Sequence, residues 1–258
     1  MSSHTVSYPV VTAPARKPGR LRRTGLGIAG LLACALPVVW TVNLSRMLLV
    51  GELDEHRFHQ LTGQGLFLCA LWLIGLVPLL RAGWVGRRPS SAAGLLHLAF
   101  VGTGTTCAVA ATGGGAPALM VVIAITGALV WLALPVRPRL RLAVKVDPLL
   151  APLALVAAAV STPYVLDQIA LQNAATGNHA HNPHLFDMAW MVSVLVVLGI
   201  LAAVFPAVRR LGLLAGAGFA WTGAMGLLLG ADRPFTGLAM AVGVAMVGVS
   251  ARRGRALI

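Results

Sequence analysis

The feature that most constrains this chain is a series of long apolar runs separated by short polar segments. A helix needs roughly 20 apolar residues to cross the hydrocarbon layer of a bilayer. Eight runs come close to or exceed that length, at residues 25–45, 62–81, 91–112, 116–136, 148–171, 186–208, 211–230 and 235–250. We therefore expect an all-α polytopic integral membrane protein, a bundle of about eight transmembrane helices.

The composition agrees with a membrane protein and excludes a soluble globular domain. Hydrophobic residues make up 58% of the 258 residues, and charged residues only 10%. A net charge of +13 is high, but the basic residues stand in short clusters between apolar runs and form no basic soluble surface of the kind that binds nucleic acid. We expect the lipid bilayer as the partner and no nucleic acid, and the sequence leaves protein partners open.

The distribution of Lys and Arg predicts the orientation of the helices. Cytoplasmic segments of membrane proteins retain an excess of basic residues. Alternate connecting segments of this chain, together with both tails, contain all but three of its 20 Lys and Arg residues. The exceptions are Arg46, Arg57 and Arg233. An even number of helices with both termini in the cytoplasm satisfies this pattern.

The chain divides into three parts by composition. Residues 1–24 lack apolar periodicity and read as a disordered basic cytoplasmic tail, residues 25–251 form the transmembrane domain, and residues 252–258 form a second basic tail. Within the domain, the runs at 25–136 and at 148–250 form two groups of four. Both groups would have the same orientation, as a parallel duplication would produce.

Two local patterns bear on processing and assembly. LLAC at 31–34 is similar to the lipobox of bacterial lipoproteins, but the run stays apolar beyond Cys34, so we expect an uncleaved first helix in a bacterial cell membrane. Small residues four apart allow close helix packing. We expect the pairs in the seventh run to pack inside the bundle, and a homo-oligomer contact is the alternative; these pairs are Gly212 with Gly216 and Gly226 with Gly230.

Titratable residues gather in two segments predicted to lie outside the cytoplasm. The first is GELDEHRFHQLTGQG at 51–65. Glu52, His56 and His59 stand at i, i+4 and i+7, so they share one helix face if the first or second transmembrane helix extends through this segment. One carboxylate and two imidazoles are ligands typical of zinc or non-haem iron.

The second outer segment, HAHNPHLFDMAW at 179–190, complements the first. If the two segments meet in space, they form a candidate site for divalent zinc, iron or copper. Its candidate ligands are Glu52, His56, His59, His179, His181, His184 and Asp187. Asp167, at the end of the fifth run, is the candidate catalytic base.

The site hypothesis implies an enzyme, with two alternatives left open. A metal-bound water could attack a lipid-linked or extracytoplasmic substrate. A transporter would use the same outer groups as an entry site and His97, inside the third run, as an intramembrane relay. A non-catalytic membrane subunit or assembly factor would need only packing faces. A further interpretation of the outer polar residues is that they form solvated loops and helix caps with no shared site.

Overall fold

The computed structural model describes residues 19–51, 56–63, 66–181 and 183–255. This part of the chain is helical and contains no strand. A single 3₁₀ turn precedes the ninth helix. The helices in chain order are α1 (Arg20–Val50), α2 (Arg57–Leu61), α3 (Leu66–Trp84), α4 (Ser91–Ala110), α5 (Ala116–Ala133), α6 (Leu150–Ala174), α7 (Asn178–His181), α8 (His184–Val204), α9 (Arg210–Leu229) and α10 (Arg233–Arg255).

Eight of these helices, all except α2 and α7, are long and apolar enough to cross a membrane. The predicted all-α bundle with eight membrane-spanning helices is therefore confirmed. Two short turns divide the run at 91–112 from the run at 116–136 and the run at 211–230 from the run at 235–250. Both turns lie where the sequence predicted them. α4 ends at Ala110 and α5 begins at Ala116, while α9 ends at Leu229 and is followed by Gly230, which has a φ of 71°. A left-handed residue of this kind, usually glycine, commonly ends a helix.

Helix α8 lies at the centre of the bundle, packed against α4, α6 and α9. Every residue from Phe186 to Val192 is buried. A helix that is apolar on all sides can be covered by other helices or by lipid, and in α8 the neighbouring helices cover most of the surface. The first turn of α8, which contains His184 and Asp187, is consequently held by a rigid element.

The two groups of four helices have the same pattern of neighbours. In α1, α3, α4 and α5, as in α6, α8, α9 and α10, the first helix packs on the second and fourth, and the third packs on the same two. A duplication would give this pattern, and so would any simple ring of four antiparallel helices. The parallel repeat therefore stays a prediction.

The glycines of α9 bring it into close contact with its neighbours. A Cβ atom added to Gly216 would lie 2.9 Å from the carbonyl oxygen of Gly243, and one added to Gly226 would overlap the side chain of Thr236. Both contacts are with α10. The small residues therefore pack inside the chain, as small-residue pairs do in membrane bundles.

The two ends of the bundle differ in chemistry. One end, which we call the histidine end, contains α2, α7 and the start of α8. The opposite end, the basic end, contains the connections between α3 and α4, between α5 and α6, and between α8 and α9. There, Oδ1 of Asp147 accepts hydrogen bonds from the backbone of Leu149 at 3.0 Å and Leu150 at 3.2 Å. Arg209 lies 3.6 Å from the same carboxylate.

Candidate metal centre

The short helix α2 presents two histidines on one face. His56 immediately precedes the helix and His59 lies three residues later, and their ring centroids are 6.4 Å apart. Phe58, which points elsewhere, is buried with 4% of its surface exposed. The shared helix face was predicted on the condition that a transmembrane helix extends through this segment, and for the first helix this condition is not met. Gly51, with a φ of 78°, ends α1 before it, and α2 forms separately. Glu52 lies outside the described residues.

Contacts on its far side fix α2 to the bundle. The indole Nε1 of Trp221 donates to the carbonyl oxygen of Leu61 at 2.9 Å. The sulfur of Met188 lies 3.1 Å from the hydroxyl of Thr62 and accepts a hydrogen bond from the backbone nitrogen of Gly63 at 3.1 Å. A Cβ at Gly63 would lie 2.7 Å from the backbone of Met188. Helix α2 is thereby held against both α8 and α9.

The third histidine begins α8. His184 is buried with 4% exposure, and its ring centroid lies 5.1 Å from that of His56 and 5.0 Å from that of His59. Two residues later, the backbone nitrogen of Phe186 donates to Oε1 of Gln172 on α6 at 3.2 Å. This bond satisfies one of the free backbone donors in the first turn of α8 and ties that turn to α6.

These three imidazoles could hold a metal ion. One ring nitrogen from each lies within 4.8 Å of the other two. The two outer segments therefore meet at these three residues, which was the condition for a shared site. A tetrahedral ion with metal–nitrogen bonds of about 2.0–2.1 Å places its nitrogen ligands roughly 3.4 Å apart, so modest side-chain rotations would complete the geometry. Among the described residues, the group consists of these three imidazoles.

The other two outer histidines are on α7, and the structure describes the side chain of only one of them. His181 lies on α7 and is exposed, and it is not a member of the three-histidine group. His179 is on the same helix, and its side chain lies outside the described residues. The structure thus brings together one pair of histidines from the first outer segment and one histidine from the second.

The two candidate carboxylates occupy different surroundings. Asp187 is one helical turn beyond His184, is 3% exposed, and lines a cavity beneath the histidines. Asp167 is exposed on α6 and lines an open groove between α6 and α10. In that groove the Tyr164 hydroxyl donates to the Asp232 carboxylate at 3.0 Å. A role for Asp167 as a catalytic base stays a prediction.

His97 joins two helices inside the bundle. Its Nε2 lies 3.1 Å from the carbonyl oxygen of Gly127 on α5, to which a protonated Nε2 donates. Its ring is parallel to that of Trp131, with 6.1 Å between centroids and 2° between planes. These contacts give the buried imidazole a hydrogen-bond partner and a stacking partner, and a role for His97 as an intramembrane relay stays a prediction.

Several residues that support the site were not identified from the sequence. Trp221 and Gln172 carry no motif, and only the fold brings them to α2 and α8. Met188 has a soft sulfur donor of the kind that binds copper, but its sulfur interacts with Thr62 and Gly63. Gly63 did carry a signal, because a glycine next to a short polar helix often marks a close backbone approach.

Comparisons with known proteins add no assignment. No protein-family model matches the chain, and no curated protein or solved structure is significantly similar to it.

Proposed function

We propose that His56, His59 and His184 bind one divalent metal ion, and that the protein is a membrane hydrolase that uses this ion. The observation that carries the proposal is the approach of three imidazole nitrogens to within 4.8 Å of one another. Two of the residues come from α2 and one from α8. Unrelated parts of a chain rarely bring three imidazoles together by packing alone, because histidine gives little stability to an apolar interior.

The ligand set favours zinc over the other candidate metals. Non-haem iron sites typically combine two histidines with one carboxylate, and no carboxylate belongs to the described group. Three histidines with one open position are the arrangement of a catalytic zinc site, whereas structural zinc sites use four protein ligands. The proposed ion is therefore Zn²⁺ with a reactive position.

The reaction class follows from an open zinc site at the end of a membrane bundle. When bound, such an ion lowers the pKa of a coordinated water and polarises the bond to be cleaved. Hydrolysis of an acyl or phosphoryl linkage adds the hydroxyl group of water to the carbon or phosphorus atom. The other proton of water is transferred to the leaving group. The three histidines would bind the ion, and α2 and α8 hold the histidine side chains in position.

The location supports a substrate at the membrane surface. His184 is the first residue of a membrane-spanning helix, so the three imidazoles stand near the level of the lipid headgroups. The excess of Lys and Arg at the basic end supports placing the histidine end outside the cytoplasm. A lipid-linked substrate could reach this level without leaving the bilayer.

Metal analysis of the purified protein tests the proposal. We expect about one zinc per chain in the wild-type protein purified in detergent without chelators. The variants His59→Ala and His184→Ala should lose it. His181→Ala is the matched control, because it removes an exposed histidine from the neighbouring helix, and it should retain zinc. A wild-type protein that neither contains nor takes up zinc, iron or copper would overturn the metal site.

A second measurement tests the hydrolase assignment. Wild-type protein in nanodiscs should cleave fluorogenic long-chain esters or amides, and activity should follow zinc content through the same three variants. Activity that persists in zinc-free His184→Ala protein would contradict the assignment. Full zinc occupancy without hydrolysis of any acyl or phosphoryl substrate would reduce the site to a metal-binding one.

A further inference from the structure

A groove extends along the outside of the bundle from its basic end, between α3 and α9, with the first turns of α4 as its floor. Its volume is about 520 Å³, which lies in the range of roughly 300–1,000 Å³ found for small-molecule sites. The floor includes Ala93 and Leu96, and the walls include Pro78 of α3 and Leu213 of α9. We call it the α3–α9 groove.

The α3–α9 groove opens toward the region that lipid would occupy. Helices α3, α4 and α9 are all candidate membrane spans. Pro78 and Leu213 are exposed, whereas Ala93 and Leu96 are buried. Ser90 and Leu96 both line the groove, and at 1.5 Å per residue their separation along α4 gives it a length of roughly 9 Å. The groove is thus an apolar channel into which a hydrocarbon chain fits.

Two polar residues, Ser90 and Arg210, line the groove where it reaches the basic end. Ser90 precedes α4, and its Oγ accepts a hydrogen bond from the backbone nitrogen of Ala93 at 3.2 Å, so its hydroxyl can still donate to a ligand. Arg210 is the first residue of α9 and is exposed. Among the described residues, the ion pair at this end joins Arg209 to Asp147 and leaves the guanidinium of Arg210 without a carboxylate partner.

This end of the groove has an excess of positive charge. Arg87 and Arg88 are exposed in the connection just before Ser90. Asp147 is the acidic residue that the structure describes at the basic end, and Arg209 lies 3.6 Å from its carboxylate. The amino ends of α4 and α9 add partial positive charge. The groove therefore combines apolar walls with an end that attracts an anion.

An anionic phospholipid matches both parts of the groove. Basic pockets between membrane-spanning helices bind the headgroups of anionic lipids, and arginine forms strong charge-assisted hydrogen bonds with phosphate. A zwitterionic headgroup carries a cationic ammonium group next to its phosphate, and the arginines would repel that cation. A free anion such as inorganic phosphate would leave the apolar walls uncovered. The charge and the apolar surface together favour a lipid whose headgroup has a net negative charge.

We propose that the α3–α9 groove binds one anionic phospholipid of the phosphatidylglycerol type, with its phosphate at Arg210 and a hydrocarbon chain along Leu96 and Leu213. Helices α4 and α9 make few direct contacts with each other, so the bound lipid would join them. The site lies at the end of the bundle opposite the three histidines. It goes beyond the proposed hydrolase function and does not depend on it.

Photolabelling in nanodiscs tests the proposal. The nanodiscs consist of phosphatidylcholine with a small fraction of phosphatidylglycerol that carries a diazirine in one acyl chain, and labelled positions are mapped by mass spectrometry. We expect saturable labelling in the groove-lining parts of α4 and α9. Unlabelled phosphatidylglycerol should compete roughly fivefold better than phosphatidylcholine, as expected for one basic residue near an anionic lipid. Equal competition by the two lipids would overturn the proposal without any variant.

Charge variants test the role of Arg210. Arg210→Gln should remove most of the preference for phosphatidylglycerol, and Arg210→Lys, which keeps the charge, should retain much of it. Arg252→Gln is the matched control, because Arg252 is an exposed arginine of α10 at the basic end and does not line the groove. Equal losses in Arg210→Gln and Arg252→Gln would overturn the proposal, since the preference would then belong to the whole basic end.

A bulk variant tests the place of the hydrocarbon chain. Leu213→Trp narrows the groove and should reduce the labelling of α4 and α9 severalfold. Leu227→Trp makes the same substitution on the same helix, at a residue that is 46% exposed where Leu213 is 43% exposed, and lies outside the groove. It should leave the labelling unchanged. Labelling that is insensitive to Leu213→Trp, in protein that is folded by size-exclusion chromatography, would overturn the chain site.

The zinc-site variants separate this inference from the proposed metal centre. His184→Ala should lose zinc and keep the labelling of the α3–α9 groove, because His184 lies at the opposite end of α8 from the basic end. A preference for phosphatidylglycerol that disappears in His184→Ala would overturn the independence of the two sites. A protein that never binds zinc but retains the preference would support the lipid site and overturn the hydrolase.

Discussion

The hydroxyl of Thr62 and the thioether sulfur of Met188 lie 3.1 Å apart, although 126 residues separate them in the chain. This contact joins the segment that contains His56 and His59 to the helix that begins with His184. The candidate metal site therefore depends on hydrogen bonds to the Met188 sulfur behind the histidines as well as on the histidines themselves.

Substitution of Gly63 should separate the two halves of the site. A Cβ at this position would lie 2.7 Å from the backbone of Met188, and backbone atoms cannot move aside cheaply. We expect Gly63→Ala to lower zinc affinity by roughly 10-fold or more, as the loss of outer-shell support does in other metal sites. Gly237→Ala, where no atom lies within 4 Å of the added Cβ, is the control. Isothermal titration with zinc measures both, and equal affinities would contradict the role of this contact.

Loss of the Trp221 hydrogen bond should loosen α2 without unfolding the bundle. Trp221→Phe keeps an aromatic ring but removes the donor to Leu61, a bond worth about 1 kcal/mol. We expect a several-fold loss of zinc affinity, and hydrogen exchange at residues 57–61 should become faster. Trp84→Phe, on the exposed surface of α3 at the basic end, should change neither quantity. Unchanged exchange in Trp221→Phe would mean that Met188 alone anchors α2.

Zinc should stabilise the folded protein. A ligand that binds only the native state adds about 2.7 kcal/mol of stability at a concentration 100 times its dissociation constant. The unfolding temperature in detergent should therefore rise with added zinc and fall again with a chelator. This response should disappear in His184→Ala and persist in His181→Ala. A zinc-dependent rise of equal size in His184→Ala would place the binding site elsewhere.

The eight spans could be predicted because they depend on a local property. A segment such as α5 is apolar over the thickness of the bilayer, and composition alone identifies it. The end of the first helix also depends on a local property, since Gly51 ends α1 in a left-handed conformation. The i, i+4, i+7 spacing of Glu52, His56 and His59 described one helix face only on the condition that a helix continued through this segment, and α1 does not continue.

The sequence could predict the grouping of the histidines only on the condition that the two outer segments meet. Sequence spacing placed His56 beside His59, but whether His184 joins them depends on how α8 packs into the centre of the bundle. Asp187 shows the same limit. It was expected among the ligands because it stands three residues after His184, and burial places its carboxyl in the cavity with Trp72. A distance of three residues along α8 therefore separates His184, in the three-histidine group, from the Asp187 carboxyl, which lies deeper in the bundle.

Removal of the His97 imidazole should affect stability and leave the metal site intact. His97→Phe keeps a ring next to Trp131 but cannot donate to the carbonyl of Gly127. We expect a loss of about 1 kcal/mol in the free energy of unfolding, partly restored in His97→Gln, with zinc content unchanged. A His97→Phe protein with wild-type stability that has lost its activity would instead favour an intramembrane relay.

The side of the membrane that the histidine end faces can be determined by cysteine labelling. All but three of the 20 Lys and Arg residues lie in segments predicted to be cytoplasmic, so the histidine end should face outward. Thr176 is exposed beside α7 and Arg139 is exposed at the basic end. A membrane-impermeant maleimide applied to intact cells should label Thr176→Cys, and should label Arg139→Cys only after the cells are opened. The native cysteines lie in α1, α3 and α4, so a variant without them provides the background. The reverse labelling pattern would put the three histidines in the cytoplasm and restrict their substrate to lipids of the inner leaflet.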